Sequence, residues 1–191
     1  VTPGTDSDSD GLSDTEERTI YGTNVRLPDT DADGFLDGNE VFHRYNPAAL
    51  GTLLEAGVVT TRQDETPQAE APVQAVGYTF DYPSVWEIED VDGELVMDAQ
   101  TGEGFRISFV QKQMSLAAWM GDNLELDDPI SGTTKNGLQL FQSQDQLEAY
   151  VDLGLAVMIV KYDTGVKARV EYLQTMQMIL NSVEVVGEVA L

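Results

Sequence analysis

The sequence predicts an α+β fold in two unequal parts: N-terminal acidic loop repeats with little regular structure, then an antiparallel sheet flanked by helices. Three observations carry this expectation. An acidic motif recurs within the first fifty residues, a polar stretch with two prolines follows, and from Gly77 onward short alternating or apolar runs are bounded by turn residues, as in strands. At 191 residues the chain accommodates one ordinary domain of about 100–150 residues plus an appendage.

Residues 1–50 carry eleven Asp and Glu against three Arg, with few large apolar side chains, so on its own this segment lacks the makings of a core and needs a ligand in that role. Within it, Asp6-Ser-Asp8-Ser-Asp10-Gly11-Leu12 recurs as Asp29-Thr-Asp31-Ala-Asp33-Gly34-Phe35. Residues 51–76 are expected to be a linker. Leu50 to Val59 fits either a cap on the repeats or the start of a strand, but 60–75 is polar, carries Pro67 and Pro72 and shows neither apolar period. The two flanking parts are therefore expected to fold separately.

Residues 77–191 hold the expected core. Tyr78–Tyr82 alternates and stops at Pro83; Trp86–Ile88 and Glu94–Met97 flank an Asp92-Gly93 turn and read as a hairpin; Phe105–Val110 continues the sheet. Ser115 is placed to cap a short helix running through Trp119 to about Asn123, and Leu124–Lys135 reads as a loop. Strands follow near Leu138–Gln142, Glu148–Leu153 and Leu155–Tyr162. Val166, Val170, Leu173, Met176 or Gln177, and Leu180 then mark a helix over 166–181, and Val183–Val186 reads as a strand closing the sheet.

The formal charge of −24 makes nucleic acid and anionic membrane surfaces unfavourable partners, while hard oxygen-seeking cations would offset the self-repulsion of the carboxylates. With no cysteine, disulfides and thiolate metal sites are excluded. No apolar run approaches the ~18 residues of a membrane span. A start at Val1 leads us to expect a processed or excised segment, with any signal, lipid or helix anchor upstream.

A calcium ion takes about six to eight oxygens, and a twelve-residue loop supplies them from positions 1, 3, 5, 7, 9 and 12, with glycine at 6 for the turn. The first segment offers Asp6, Asp8, Asp10, the Leu12 carbonyl, Asp14 and Glu17, around Gly11; the second offers Asp29, Asp31, Asp33, the Phe35 carbonyl, Asp37 and Glu40, around Gly34. Spacing by two brings alternate carboxylates around one ion, and the terminal glutamate can close the shell with both oxygens. Two Ca2+ ions or more are expected. A paired EF-hand has a helix entering each loop, which neither Val1–Thr5 nor Gly22–Pro28 provides, so these are EF-hand-like loops with an exit turn.

On those residues, with Gly22-Thr23-Asn24 and Tyr45-Asn46-Pro47 as spacers, residues 5–48 resemble the bacterial thrombospondin type 3 repeat; Val25 stands where that family usually has proline. The resemblance implies a calcium-rigidified spacer or stalk of a secreted or cell-surface protein. The run Gly77–Trp86, the Leu116–Trp119 helix and the terminal helix ending at Val183 are similar to the PsbP-like domain, over about 77–187. That resemblance implies an α/β/α sandwich and transfers no function.

Catalysis finds little support in the sequence. His43 is the sole histidine and reads as a surface residue, Asp127-Asp128 and Glu87-Glu89-Asp90 as solvated edges or turns, and Gly102-Glu-Gly104 as a turn. Trp86 and Trp119 read as core anchors, and Met176 and Met178 as core filler. The expectation is a non-enzymatic, extracytoplasmic bacterial protein in which calcium stiffens a stalk presenting an interaction domain, its partner another protein or copies of itself. The rival readings are a calcium-dependent self-assembling surface-layer or filament subunit, and a carboxylate-based hydrolase.

Overall fold

The computed structural model describes residues 2–67, 74–124, 127–166 and 169–187. Positions 68–73 of the expected linker, 125–126 of the expected loop, 167–168 of the expected terminal helix and 188–191 lie outside the described residues.

In chain order the elements are β1 (Thr2–Pro3), α1 (Asp14–Glu16) passing directly into a π-helical turn (Glu17–Tyr21), α2 (Asp37–Phe42), β2 (Val59–Glu65), β3 (Gly77–Pro83), β4 (Glu87–Val91), β5 (Glu94–Asp98), β6 (Gly104–Gln111), α3 (Leu116–Asn123), β7 (Ile130–Thr133), β8 (Gln139–Gln142), β9 (Glu148–Asp152), β10 (Ala156–Asp163), β11 (Arg169–Val170), α4 (Leu173–Ser182) and β12 (Glu184–Val186). The class is α+β, with mostly antiparallel strands and few helices. Seven strands form one antiparallel sheet in the order β4-β5-β6-β10-β9-β8-β7, three form a second in the order β12-β3-β2, and β1 pairs in parallel with β11.

Local sequence explains much of this. The β4–β5 hairpin closes on Asp92 (φ 56°) and Gly93 (φ 84°), the paired left-handed residues that suit the twist of a two-residue turn. Strand β10 sits mid-sheet and is covered on both faces: Ala156, Met158, Val160 and Tyr162 enter the main core with Phe105, Ile107 and Trp86, while Val157 and Ile159 meet Leu116, Trp119 and Met120 of α3. A strand buried on both sides has no polar face, which is why Ala156–Val160 is unbroken apolar sequence. Ser115 caps α3 by accepting from the Ala118 N–H. Trp86, Trp119, Met176 and Met178 are all buried.

Four expectations about individual elements are corrected. Val59–Glu65, expected to be linker, is a strand paired along its length with β3; it runs at an edge of its sheet, so most of its side chains stay exposed and leave no apolar period to read. Ile130–Thr133, expected to be loop, is the edge strand β7, and all four side chains are exposed for the same reason. The terminal helix starts at Leu173 rather than 166: Val166 is fully exposed, so its match to the helical spacing is coincidental, and Arg169–Val170 is extended against β1. Strand β12 pairs with β3 instead of closing the larger sheet.

The N-terminal segment does not stand apart from the core. Leu12, Tyr21, Val41 and Leu53 are buried in the same apolar cluster as Phe80, Met176 and Leu180. Leu53 caps the repeats while Val59 opens β2, so both readings of 50–59 hold in part. Polar contacts reinforce the junction: Ser13 Oγ donates to the Glu171 carbonyl (2.5 Å), Gln174 Nε2 to the Gly38 carbonyl (2.6 Å), and Arg44 faces Asp81 at 3.6 Å.

Candidate metal centre

The two acidic loops share one backbone. Their fourth residues are left-handed (Ser9 φ 67°, Ala32 φ 61°), and their sixth residues, Gly11 and Gly34, both have φ 102°, a conformation that strongly favours glycine. First-position carboxylates tie the loop together: Asp6 accepts from the Ser9 (2.7 Å) and Gly11 (3.2 Å) N–H groups, and Asp29 from those of Asp33 (3.2 Å) and Gly34 (3.0 Å). Fifth-position carboxylates accept from the residue two further on, Asp10 from Leu12 N–H (2.7 Å) and Asp33 from Phe35 N–H (3.0 Å). The resulting curl gathers carboxylate oxygens of Asp6, Asp8 and Asp10 within 4.8 Å of one another, and those of Asp29, Asp31 and Asp33 likewise.

The twelfth residues, Glu17 and Glu40, are buried at the start of the exit turn and within α2. Several oxygens in these loops are buried without a hydrogen-bond partner: both of Asp8, Oδ2 of Asp10, Oε2 of Glu17 and Oε2 of Glu40. Burial pushes the Glu17 and Glu40 carboxyls up to about 7, with loop carboxylates adding to the effect, and Asp10 up to about 6. Asp8 and Asp37 are raised for the same first reason.

The ninth residues behave differently from the expected ligand set. Asp14 accepts from both the N–H (2.9 Å) and Oγ (3.1 Å) of Ser7 and pairs with Arg18 (2.9 Å); burial is the largest single effect and raises its carboxyl, but these contacts together outweigh it and hold the group below the usual range. Asp37 repeats the contact with Thr30, at 2.8 Å from N–H and 2.6 Å from Oγ1, but is fully buried. Its carboxylate gathers with those of Asp10 and Glu17 of the other loop, again within 4.8 Å. The seventh residues also diverge: the Leu12 side chain is fully buried in the core, whereas Phe35 is 58% exposed.

Two participants escaped sequence reasoning. Glu16, at the eleventh loop position, completes a capping box with Ser13 and reaches α4; the spacing Ser13-x-x-Glu16 was the available signal. The crossing of Asp37 to the first loop had no signal in the sequence, because it depends on how the repeats pack.

Beside the second loop lies a groove of about 660 Å³ lined by Phe35, His43, Tyr45 and Leu50, with Asp33, Glu40 and Glu55 supplying negative charge. Phe35, Tyr45 and Leu50 are exposed there. Among the described residues no helix is long and apolar enough to cross a membrane. The chain matches no protein-family model, no curated protein and no solved structure.

Proposed function

We propose that residues 6–40 bind two calcium ions, and that the ions act structurally in a non-enzymatic, extracytoplasmic or cell-surface bacterial protein. The observation that carries this reading is the set of buried, unpartnered carboxylate oxygens on Asp8, Asp10, Glu17 and Glu40, at loop positions 3, 5 and 12. A buried carboxylate oxygen without a donor is costly, and a cation is the partner that satisfies several at once. The donors are all oxygens, with neither cysteine nor a histidine among them, which favours a hard ion; the wide, multi-carboxylate loop suits calcium better than the strict octahedron of magnesium.

The resemblance of residues 5–48 to thrombospondin type 3 repeats supports a site filled in calcium-rich exteriors, at affinities of roughly 10⁻⁴ to 10⁻³ M. Because the repeats share a core with the sheets, the ions would stiffen the joint between the repeats and a PsbP-like domain rather than a free-standing stalk. Calcium titration calorimetry on the full chain, beside an Asp10→Ala, Asp33→Ala double variant, tests the reading. Two sites lost in the variant support it, and no heat in the parent chain sinks it.

The exposed groove of Phe35, Tyr45 and Leu50 beside the second loop favours a second reading, a subunit that docks on another protein or on its own copies when calcium orders that loop. Growth of scattering mass with calcium, abolished by Phe35→Ala, would support self-assembly; constant mass would remove it.

A further inference from the structure

We infer that Asp37 is a ligand of the first ion rather than a private ligand of its own loop, so that the first site is incomplete without the second repeat and the two ions bind with positive coupling. This rests on the calcium reading above and concerns which loop Asp37 serves.

Three observations converge. Asp37 is fully buried, and its carboxylate lies within 4.8 Å of those of Asp10 and Glu17, all three side chains being at least nine-tenths buried. Oδ2 of Asp10 and Oε2 of Glu17 are buried without a hydrogen-bond partner, and among the described residues no cationic side chain pairs with Asp10, Glu17 or Asp37. The equivalent residue of the first loop, Asp14, faces Ser7 and Arg18 and joins none of the carboxylate clusters. The ninth residue in both loops is therefore held by the second residue of its own loop, and only in Asp37 does the remaining acceptor capacity face a neighbouring set of carboxylates.

The backbone permits this approach. Gly38 follows Asp37 at the start of α2, and a Cβ there would lie 2.4 Å from the Asp10 carbonyl oxygen, so the second repeat sits directly against the first loop. Asp37 belongs to the carboxylate group of Asp10 and Glu17 and not to that of Asp29, Asp31 and Asp33 in its own loop. An ion in the second loop orders Thr30, Thr30 fixes Asp37, and Asp37 completes the first site; by linkage the first ion assists the second equally.

The test is a calcium titration of the full chain followed through the amide resonances of Gly11 and Gly34, one reporter per loop, for the parent, Asp37→Asn and Asp14→Asn chains. The shared-ligand arrangement gives an Asp37→Asn chain whose Gly11 transition moves ~10-fold or more to higher calcium, further than Asp14→Asn moves it. Movement of Gly34 alone in Asp37→Asn, with Gly11 unchanged, overturns the inference while leaving calcium binding intact. Silence of both amides in the parent overturns both readings together. Should Asp37→Asn fail to fold, Thr30→Val removes the 2.6 Å bond that orients Asp37, together with the Asn24 N–H bond to the same hydroxyl, and changes no residue of the first loop. A Gly11 transition shifted to higher calcium in that variant supports the inference, and an unshifted one overturns it.

Discussion

Glu16 of the first repeat caps the last helix of the fold: its Oε1 accepts from both the N–H (2.7 Å) and the hydroxyl (2.8 Å) of Thr175, in the first turn of α4. Its Oε2 accepts from the Ser13 N–H at 2.9 Å, so one fully buried carboxylate closes the exit turn of the first loop and the start of a helix 159 residues away. Tyr172, at the N-cap of α4, makes no side-chain cap bond, and Glu16 supplies what its own sequence omits.

Replacing that acceptor with an amide tests the link. Glu16→Gln presents an NH₂ to at least one of three donors and strands it, which is expected to cost about 2 kcal/mol of unfolding free energy. Urea unfolding of the full chain, followed by far-ultraviolet dichroism and by tryptophan emission, should show both transitions moving together. A shift in neither would mean that Glu16 does not join the repeats to α4.

The two seventh-position residues should separate in stability. Leu12→Ala removes a fully buried side chain and is expected to cost about 2–5 kcal/mol, while Phe35→Ala, at an exposed position, is expected to stay within about 0.5 kcal/mol. Thermal unfolding in chelator measures both without a contribution from bound ions. Equal costs would contradict the asymmetric docking of the repeats.

How much of this was open to reading depended on whether residues speak for themselves or only through packing. The spacing Asp6-x-Asp8-x-Asp10-Gly11 is local, since each carboxylate is brought to its neighbour by the curl of a few residues, and so the clustering of each trio could be read from sequence. The Asp92-Gly93 hairpin and the unbroken apolar strand at Ala156 were legible for the same reason. Edge strands were not: Val59–Glu65 and Ile130–Thr133 leave most side chains in solvent and carry no period. Nor was the union of the two parts, which rests on a few residues of ordinary appearance, Leu12, Tyr21 and Val41, and on Glu16 reaching Thr175. Acid-rich composition concealed an apolar contact face.

Calcium should reverse the pH dependence of stability. In the ion-free chain the carboxyls of Glu16, Glu17 and Glu40 stand at about 7 against an ordinary 4.5, and Asp10 at about 6 against 3.8. Between these limits the folded chain holds protons that the unfolded chain has released, so their stabilising contribution, complete below about 4, is lost as pH rises to about 7. With saturating calcium the loop carboxylates must be deprotonated to bind, and stability is expected to rise over the same window. Urea midpoints at pH 5.5 and 7.5, in chelator and in calcium, should therefore move in opposite directions. An ion-free chain more stable at pH 7.5 would contradict the raised carboxyls.

Gly38 offers a prediction in which the sign alone decides. In an ordinary helix, replacing glycine with alanine is stabilising by about 1 kcal/mol, since alanine is the better helix former. Here the new Cβ would meet the Asp10 carbonyl oxygen at 2.4 Å and the Asp10 and Gly11 carbonyl carbons at 3.1 Å, backbone atoms that cannot swing aside. Relief requires α2 to retreat from the first loop, carrying Asp37 away from Asp10 and Glu17. Gly38→Ala is therefore expected to lower stability by about 1–3 kcal/mol in chelator, the usual range for overpacking. If the first loop binds calcium as proposed, the loss in calcium should be larger, because the variant would also forfeit binding energy there. Unfolding of parent and variant in both conditions separates the two contributions. A variant more stable than the parent would show that the helix propensity prevails and that the repeats do not touch at this point.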